Sequence, residues 1–243
     1  MEKAEFLSDV VKATAANKIN SAIIFGEYGT GKTMLGASAD EIEDYAPVLI
    51  VDIEGSAAGV GRIYPNVDIV QADTHAKLEF IKSELLHKEH GYKTVIFDTL
   101  NVGQNRAQKI FKALNPTNKY AVWDDLKDWT VNFVREMHAA PFLAIFIAHP
   151  QVDKDEMTGK VTITVKLAGS SRNDVPTVPD IIGYMTFETN DDDEVVRVLQ
   201  VDQHGSPGVV TKNRFGIEHK IYNPSIFEIQ KAILNVQDKD DDE

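Results

Sequence analysis

The stretch SAIIFGEYGTGKTML, residues 21 to 35, decides the predicted fold. Its first five residues form an apolar run typical of a buried strand, and the segment from Lys32 onward can form a helix. Between them lies a glycine-rich loop in which Gly26 is followed, after four residues, by Gly31, Lys32 and Thr33. Glycines let a backbone turn tightly and direct its N–H groups at an anion near the positive end of a helix dipole. This pattern therefore predicts a cradle for the phosphates of a nucleotide.

The same spacing is the P-loop pattern, and it assigns two chemical roles. Lys32 is expected to reach the β- and γ-phosphates, and the Thr33 hydroxyl is expected to ligate the Mg²⁺ that bridges them. A glycine-rich turn that merely contains a lysine is the alternative, but strand, loop and helix occur in the order that the motif requires. ATP and Mg²⁺ are thus the predicted cofactors. The predicted nucleotide-binding residues are Gly26, Glu27, Tyr28, Gly29, Thr30, Gly31, Lys32, Thr33 and Met34.

Composition sets the limits of the chain's organisation. Its 243 residues are 43% hydrophobic and 26% charged, which is enough for one sizeable core. We expect that core over residues 1–235 and an acidic tail over residues 236–243. The absence of cysteine excludes disulfides and thiolate zinc sites. The first residues, MEKAEFLSDVVKA, carry acids and no long apolar stretch, so we expect neither a signal peptide nor a membrane span, and a cytoplasmic protein.

The net charge of −13 is unfavourable for a protein that contacts nucleic acid. Much of this charge is local, because DDDE at residues 191–194 and DKDDDE at residues 238–243 are acidic runs. Such runs are more often solvated turns or tails than binding sites. The overall charge therefore does not decide what the protein binds.

Apolar runs alternate with helical segments along the first two thirds of the chain. The runs at 21–25, 46–52, 66–72, 93–98 and 142–148 are nearly continuous, as strands buried on both faces require. Helices are expected at about 32–44, 75–90 and 124–139. This alternation predicts an α/β fold with a mainly parallel sheet flanked by helices. Strands expected at about 161–167, 181–188, 195–202 and 207–212 predict an antiparallel C-terminal extension, and NPSIFEIQKAIL predicts a closing helix.

Asp98 ends the strand in KTVIFDTLN, at the carboxyl edge of the predicted sheet beside the P-loop. A carboxylate there binds the nucleotide's Mg²⁺ directly or through water, so Asp98 and Thr33 form the predicted metal site. The alternative is an aspartate that begins a turn. The next residue is Thr99, whose hydroxyl cannot act as a general base, so the base that activates the attacking water must come from another strand end.

Four motifs give the chain a resemblance to the RecA-like core ATPases of bacteriophages: GEYGTGKT, VDIEG, VIFDT and KNRFG. It resembles in particular the AAA-type phage nucleotide-binding proteins of the RecA-core branch of the Sak-type single-strand annealing proteins, and more distantly RadA/Sms. The resemblance implies a Mg²⁺-dependent and DNA-stimulated RecA-like P-loop ATPase that binds single-stranded DNA and promotes annealing or strand exchange as an oligomer. It also implies a bacterial host cell as the location and a single-strand binding protein as a further partner.

The resemblance supplies a candidate for the missing base. RecA-type ATPases carry their catalytic glutamate at the end of the strand after the P-loop helix, where this chain has Glu54 in VDIEG. The glutamate orients and deprotonates the water that attacks the γ-phosphate. Asp52 is the alternative, and the two side chains share a face only if the strand stays extended to Glu54.

The pentapeptide KNRFG, residues 212–216, carries two further implied catalytic residues. In RadA-like proteins this motif supplies a lysine and an arginine, here Lys212 and Arg214, that reach the ATP bound to a neighbouring subunit. A cation delivered on assembly stabilises charge on the transferred phosphoryl group, as an arginine finger does. The alternative is a basic β-turn with a packed Phe215.

His149 ends the strand in FLAIFIAHP, where RecA relatives place a polar residue that senses the γ-phosphate. The resemblance therefore implies a nucleotide-sensing role for His149, with Gln151 as its competitor. A histidine with a purely structural role is the alternative.

Two segments, at about 101–122 and 149–179, show no strong periodicity, and loops this long are usually functional or disordered. The resemblance implies that they are the two DNA-facing loops of RecA, in which spaced cations follow a phosphate backbone without reading its sequence. The alternatives are a solvated helix face for the first segment and a plain hairpin for the second. The implied DNA-binding residues are Arg106, Lys109, Lys112, Lys160, Lys166 and Arg172.

Overall fold

A mixed sheet of nine strands organises the protein, whose computed structural model describes residues 18–190, 192–205 and 208–241. The described residues contain eleven strands, nine of them in this sheet: β1 (Ser21–Gly26), β2 (Val48–Asp52), β3 (Asp68–Gln71), β4 (Thr94–Asp98), β5 (Leu143–Ala148), β6 (Pro150–Lys154), β7 (Val161–Val165), β8 (Ile181–Thr189), β9 (Val195–Gln200), β10 (Lys212–Asn213) and β11 (Lys220–Tyr222). Strands β6 and β7 form a separate hairpin. Every residue of β1, β2, β4 and β5 is buried, which explains their continuous apolar character.

The order of the strands across the sheet is β11-β9-β8-β1-β5-β4-β2-β3, and β10 pairs with β8. All pairs from β8 to β3 are parallel, whereas β8 with β9, β9 with β11, and β8 with β10 are antiparallel. The carboxyl ends of β1, β2, β4 and β5 therefore meet at one edge, where ligands bind in open α/β sheets. The predicted α/β fold with a C-terminal antiparallel extension is confirmed.

Helices cover both faces of the sheet. They are α1 (Lys32–Ala37), α2 (His75–His87), α3 (Leu100–Leu114), α4 (Lys119–Ala139), α5 (Ser171–Asp174) and α6 (Ile226–Asp241). One apolar core joins the sheet to α1 and α6 through residues such as Leu35 and Ile229. A second core joins the other face to α2, α3 and α4 through residues such as Leu78, Leu100 and Phe133. Among the described residues, none of the helices combines the length and apolar character needed to cross a bilayer.

The predicted loop at 101–122 is wrong, because α3 and the start of α4 occupy it. Helix α3 buries two polar side chains, Asn101 and Gln104, on its inner face. Asn101 bonds to His149, and Gln104 bonds to Thr130, to Ser171 and to the N–H of Ala168. A reading of hydrophobic periodicity assigns such polar positions to solvent, although Leu100 and Ala107 share the buried face of this amphipathic helix.

Two other predicted boundaries differ from the structure. The helix expected at 32–44 ends at Ala37 and continues as a 3₁₀ turn, because Ser38 Oγ donates to the carbonyl of Leu35 and accepts the N–H of Ile226. The strand expected at 207–212 is reduced to one bridge at Val209 and the two residues of β10. Helix α6 runs to Asp241 through most of the expected acidic tail, and residues 242 and 243 lie outside the described residues.

Candidate functional site

The glycine-rich loop connects the carboxyl end of β1 to α1. Gly26 is the last residue of β1, and a Cβ atom there would collide with the carbonyl oxygen of Met185 on β8. Gly29 and Gly31 have φ angles of 76° and 94°, in the left-handed region that favours glycine. The loop thus needs glycine at its first position for packing and at the other two for its backbone conformation.

The Lys32 side chain lies inside the loop. Its Nζ donates hydrogen bonds of 2.9 Å to the carbonyl of Gly26 and 2.8 Å to the carbonyl of Glu27. Burial lowers the pKa of the Lys32 ammonium, against the opposing effect of the carboxylates of Asp98, Glu54 and Glu27. A buried ammonium that bonds only to neutral carbonyls is well placed to exchange them for phosphate oxygens, which are stronger partners.

Asp98 and Thr33 meet as the metal-site prediction requires. Thr33 Oγ1 donates a 2.7 Å hydrogen bond to Oδ2 of Asp98, which is 2% exposed at the end of β4. Burial raises the pKa of the Asp98 carboxyl, and the hydrogen bond from Thr33 lowers this pKa. The nearby carboxylates of Glu54 and Asp52 raise the pKa further, and the Lys32 ammonium lowers it. A divalent cation would reduce the electrostatic repulsion between these carboxylates.

Asp52 and Glu54 have different environments. Asp52 is 1% exposed and accepts hydrogen bonds from the backbone N–H groups of residues 55, 56 and 57 and from Gln71 Nε2, at 2.6 to 3.2 Å. Through these bonds, Asp52 stabilises the turn that follows β2. The Glu54 side chain is 30% exposed and faces the cleft above the P-loop. The geometry therefore supports Glu54, rather than Asp52, as the base.

His149 follows β5 and lies opposite Glu54. Its Nε2 is 3.4 Å from Glu54 Oε2, and its ring centroid is 4.8 Å from that of Tyr28 in the P-loop. Burial lowers the pKa of the His149 imidazole; the Glu54 carboxylate opposes this shift. The competitor, Gln151, instead donates to Asp153 on the β6–β7 hairpin. The structure thus places His149 in the cleft.

A cleft of about 390 Å³ lies above the P-loop, and we call it the nucleotide cleft. Most of the predicted nucleotide-binding residues line it, whereas Gly26, Glu27 and Thr30 do not. Its lining residues are Tyr28, Gly29, Gly31, Lys32, Thr33, Met34, Glu54, Ser56, Asp98, Thr99, Ile147, His149 and Arg197.

Arg197 is a cleft residue that sequence reasoning missed. It lies on β9, in VVRVLQ, where no motif marks it. Its Nε is 3.1 Å from the position that a Cβ atom on Gly31 would take, and its guanidinium carbon is 5.8 Å from the centroid of the Phe187 ring. Within the described residues, Arg197 forms no ion pair with a carboxylate. Its positive charge is therefore available to a phosphate at the last glycine of the loop.

The cleft residues fit a nucleotide with its Mg²⁺. Thr99 Oγ1 is buried beside Asp98 and has no hydrogen-bond partner within the described residues, so a water or phosphate oxygen would satisfy it. Among these residues no group of three or more histidine, aspartate or glutamate side chains is arranged to hold a metal alone. Mg²⁺ suits such a site, because it binds through one or two protein ligands, water and substrate phosphates. Thr33 and Asp98 would hold the ion.

Lys212 and Arg214 lie far from the nucleotide cleft of their own chain. Asn213, between them, pairs with Ile181, which pairs with Ala22 near the start of β1. The P-loop begins four residues further along β1, about 13 Å away at the rise of a strand. The two cations thus lie at the opposite edge of the sheet.

Both cations bond within their own chain. Lys212 Nζ donates to the carbonyls of Pro176 and Thr177 at 3.0 and 2.8 Å. Arg214 Nη1 lies 3.1 Å from Asp180 Oδ1, and Nη2 donates to the Thr177 carbonyl at 2.9 Å, while the arginine side chain remains 46% exposed. The next residue, Phe215, packs on the first core.

The six implied DNA-binding residues fall on separate elements. On α3, Arg106 donates to the carbonyl of Ala72, Lys112 donates to Gln108, and Lys109 is exposed. Lys160 and Lys166 are exposed at either side of β7, and Arg172 on α5 forms a 3.1 Å ion pair with Asp153. Arg106 and Arg172 therefore have structural partners, whereas the exposed lysines carry the available charge.

The fold and the nucleotide cleft together define a nucleotide-binding P-loop ATPase domain. The chain belongs to a family described as an AAA domain, whose profile matches residues 18–215. None of the curated proteins compared with the chain is a match.

Two solved structures are similar to the chain. One is a prototypical ATPase from the type III secretion system of pathogenic bacteria, at 13% identity and a TM-score of 0.47, covering 81% of this chain and 57% of that chain. The other is the RadB recombinase, at 14% identity and a TM-score of 0.48, covering 84% of this chain and 86% of that chain. The chain thus spans less than two thirds of the length of the secretion-system ATPase.

Proposed function

We propose that the protein is a Mg²⁺-dependent ATPase of phage type that binds single-stranded DNA and promotes annealing or strand exchange as an oligomer. In this oligomer, Lys212 and Arg214 of one subunit complete the nucleotide cleft of the next. The observation that carries the proposal is the position of KNRFG at the sheet edge opposite the P-loop of its own chain. Cations with a catalytic role at that edge must act on a neighbouring subunit.

The cleft residues divide the proposed reaction among them. Lys32 would bind the β- and γ-phosphates, and Thr33 and Asp98 would hold the Mg²⁺, whose chemical contribution would be to neutralise phosphate charge. Glu54 orients the attacking water and accepts its proton. Arg214 and Lys212 from the neighbouring subunit stabilise the negative charge that develops on the transferred phosphoryl group.

Assembly would require the two cations to change partners. Arg214 leaves an ion pair in which its own side chain is 46% exposed and that of Asp180 is 7% exposed, so the exchange costs more than the loss of a surface pair. Asp180 Oδ2 would keep the backbone N–H groups of Asn20 and Ser21, whereas Oδ1 would lose its contact with Arg214. The exchange therefore requires water or another donor at Oδ1.

Exposed lysines on α3 and beside β7 support the DNA-binding part of the proposal, since such cations bind phosphates without sequence preference. The net charge of −13 favours a second candidate, a nucleotide-gated assembly or loader protein of phage replication that acts on a protein partner. Oligo-dT separates the two candidates. Stimulation of ATP hydrolysis by oligo-dT is expected for the first, and its absence would favour the loader.

Mixing two inactive variants tests the shared site. Arg214→Ala and Glu54→Gln proteins should each bind ATP, and each should hydrolyse it slowly. Mixed oligomers should recover activity, because some interfaces pair an intact Glu54 with an intact Arg214. No recovery at any mixing ratio, in mixed oligomers detected by mass, would rule out the shared site. Mixing Arg214→Ala with Lys212→Ala is the matched control, since neither protein supplies a complete KNRFG motif and recovery is not expected.

A further inference from the structure

Asn101, in the first turn of α3, makes both of its amide contacts to one residue, His149. Its Oδ1 accepts the backbone N–H of His149 at 3.1 Å, and its Nδ2 lies 3.2 Å from the Nδ1 of the same histidine. Both residues are buried, at 5% and 8% exposure. The amide therefore has little opportunity to exchange these partners for water.

These two contacts determine where the proton of the neutral ring lies. A backbone N–H can only donate, so the amide oxygen must face it, and the amide NH₂ must then face the ring. An NH₂ group can only donate, so the ring Nδ1 must accept. The proton of a neutral imidazole is consequently on Nε2.

The protonated nitrogen faces the proposed base. Nε2 lies 3.4 Å from Glu54 Oε2 across the nucleotide cleft, and the Tyr28 ring packs against the imidazole. We propose that Asn101 is a positioning residue for ATP hydrolysis: it fixes His149 in the tautomer whose Nε2–H restrains the Glu54 carboxylate. This inference rests on the role of Glu54 in the proposed function.

The neutral ring matters to the chemistry of Glu54. The charged groups around the imidazole are the Glu54 carboxylate and the ammonium groups of Lys32 and Lys166, and burial lowers the imidazole pKa. A neutral N–H donor orients a carboxylate while leaving it basic, whereas an imidazolium would form a full ion pair and reduce its basicity. With the proton on Nδ1 instead, the Nε2 lone pair would repel Glu54.

The ring ¹⁵N chemical shifts of His149 test the inference without any assay of activity. They report which nitrogen carries the proton, and His149→Gln protein identifies the signals among the seven histidines. We expect the Nε2–H tautomer in the wild-type protein at pH 7.5. In Asn101→Asp, a carboxylate that can only accept should move the proton to Nδ1 or favour the imidazolium. An Nδ1–H tautomer in the wild-type protein would overturn the inference even if the variant does not fold.

Kinetics test the positioning role. Asn101→Asp should lower kcat on the order of a hundredfold, as expected for a misplaced catalytic group, while ATP affinity changes less than about twofold. His149→Gln keeps an N–H donor near the Nε2 position and should retain more activity than His149→Leu. Gln104→Glu, the same type of change one turn along α3 and away from His149, is the matched control and should keep kcat near the wild-type value.

The outcomes separate this inference from the proposed function. If Asn101→Asp hydrolyses ATP like the wild type while Glu54→Gln does not, Glu54 is the base and the positioning role is wrong. If Glu54→Gln retains full activity, the proposed base is wrong, and the ¹⁵N shifts then still decide the tautomer. Equal loss of kcat in Asn101→Asp and Gln104→Glu would reduce Asn101 to a structural role.

Discussion

Thr33 Oγ1 donates to Asp98 Oδ2 at 2.7 Å, which joins the start of α1 to the end of β4 across 65 residues of sequence. These two residues are the proposed Mg²⁺ ligands. The contact shows that the fold itself brings these two residues together, since parallel strands place their carboxyl ends at one edge.

Asp98→Asn should therefore weaken Mg²⁺ binding and reduce the rate of hydrolysis on the order of a hundredfold or more. The reason is that a bound metal ion stabilises the charge of the phosphoryl-transfer transition state by about several kcal/mol. Hydrolysis measured over a range of Mg²⁺ concentrations checks this. Thr33→Ser keeps the hydroxyl and is the control, with activity close to wild type, whereas Thr33→Val should resemble Asp98→Asn. Wild-type Mg²⁺ dependence in Asp98→Asn would exclude this carboxylate from the metal site.

Glu54→Gln and Asp52→Asn should fail in different ways. Glu54→Gln should bind ATP and lose roughly a hundredfold or more of its hydrolysis rate, the range for loss of a general base. Asp52→Asn loses charge at a turn where the carboxylate accepts three backbone N–H bonds, so it should lower the free energy of unfolding by about 1–3 kcal/mol. ATP turnover and denaturant unfolding of both variants check this. The assignment is reversed if Asp52→Asn is stable but inactive and Glu54→Gln is active.

Arg197→Ala should raise the Kd for ATP about tenfold, the equivalent of one hydrogen bond to a charged group. The reason is the position of the guanidinium beside Gly31 in the nucleotide cleft. Fluorescent nucleotide titration measures the effect, with Lys32→Ala as the variant expected to abolish binding. Arg135→Ala, on the exposed surface of α4, is the matched control. Equal affinities of the Arg197 and Arg135 variants would remove Arg197 from the site.

His75 makes stability depend on pH. Its Nδ1 is buried without a hydrogen-bond partner within the described residues, its ring packs against Trp129 and Phe111, and burial lowers its pKa below the ordinary value of 6.5. The folded state thus binds fewer protons than the unfolded state just below pH 6.5, so stability falls as pH falls through 6.5 toward the folded-state pKa.

His75→Phe keeps the ring packing and removes this titration, so its free energy of unfolding should fall less than that of the wild type between pH 7.5 and 5.5. Denaturant unfolding at the two pH values measures the difference. A residual dependence is expected from His149, whose pKa burial also lowers. An equal fall in stability in the wild type and His75→Phe would contradict this prediction.

The sequence by itself determined the parts of this protein that depend on local chemistry. The spacing of Gly26, Gly31, Lys32 and Thr33 specifies a phosphate cradle, because each residue type has a conformational or charge requirement there. Continuous apolar runs specified β1, β2, β4 and β5, because burial on both faces leaves no alternation, whereas the parallel edge strand β3 is largely exposed. Asp98 was predictable from its strand, since the end of an apolar strand beside a P-loop lies at the ligand-binding edge.

Tertiary structure alone decided which polar residues line the nucleotide cleft and which bond within the fold. In the sequence only the family resemblance favours Glu54 over Asp52, and the physical distinction is the turn whose N–H groups saturate Asp52. Arg197 reaches the cleft because β9 lies two strands from β1 in the sheet, a pairing that no local motif encodes. Sequence alone did not assign Asn101 and Gln104 to the buried face of α3, because a buried polar side chain satisfied by a distant partner has the sequence signature of an exposed one.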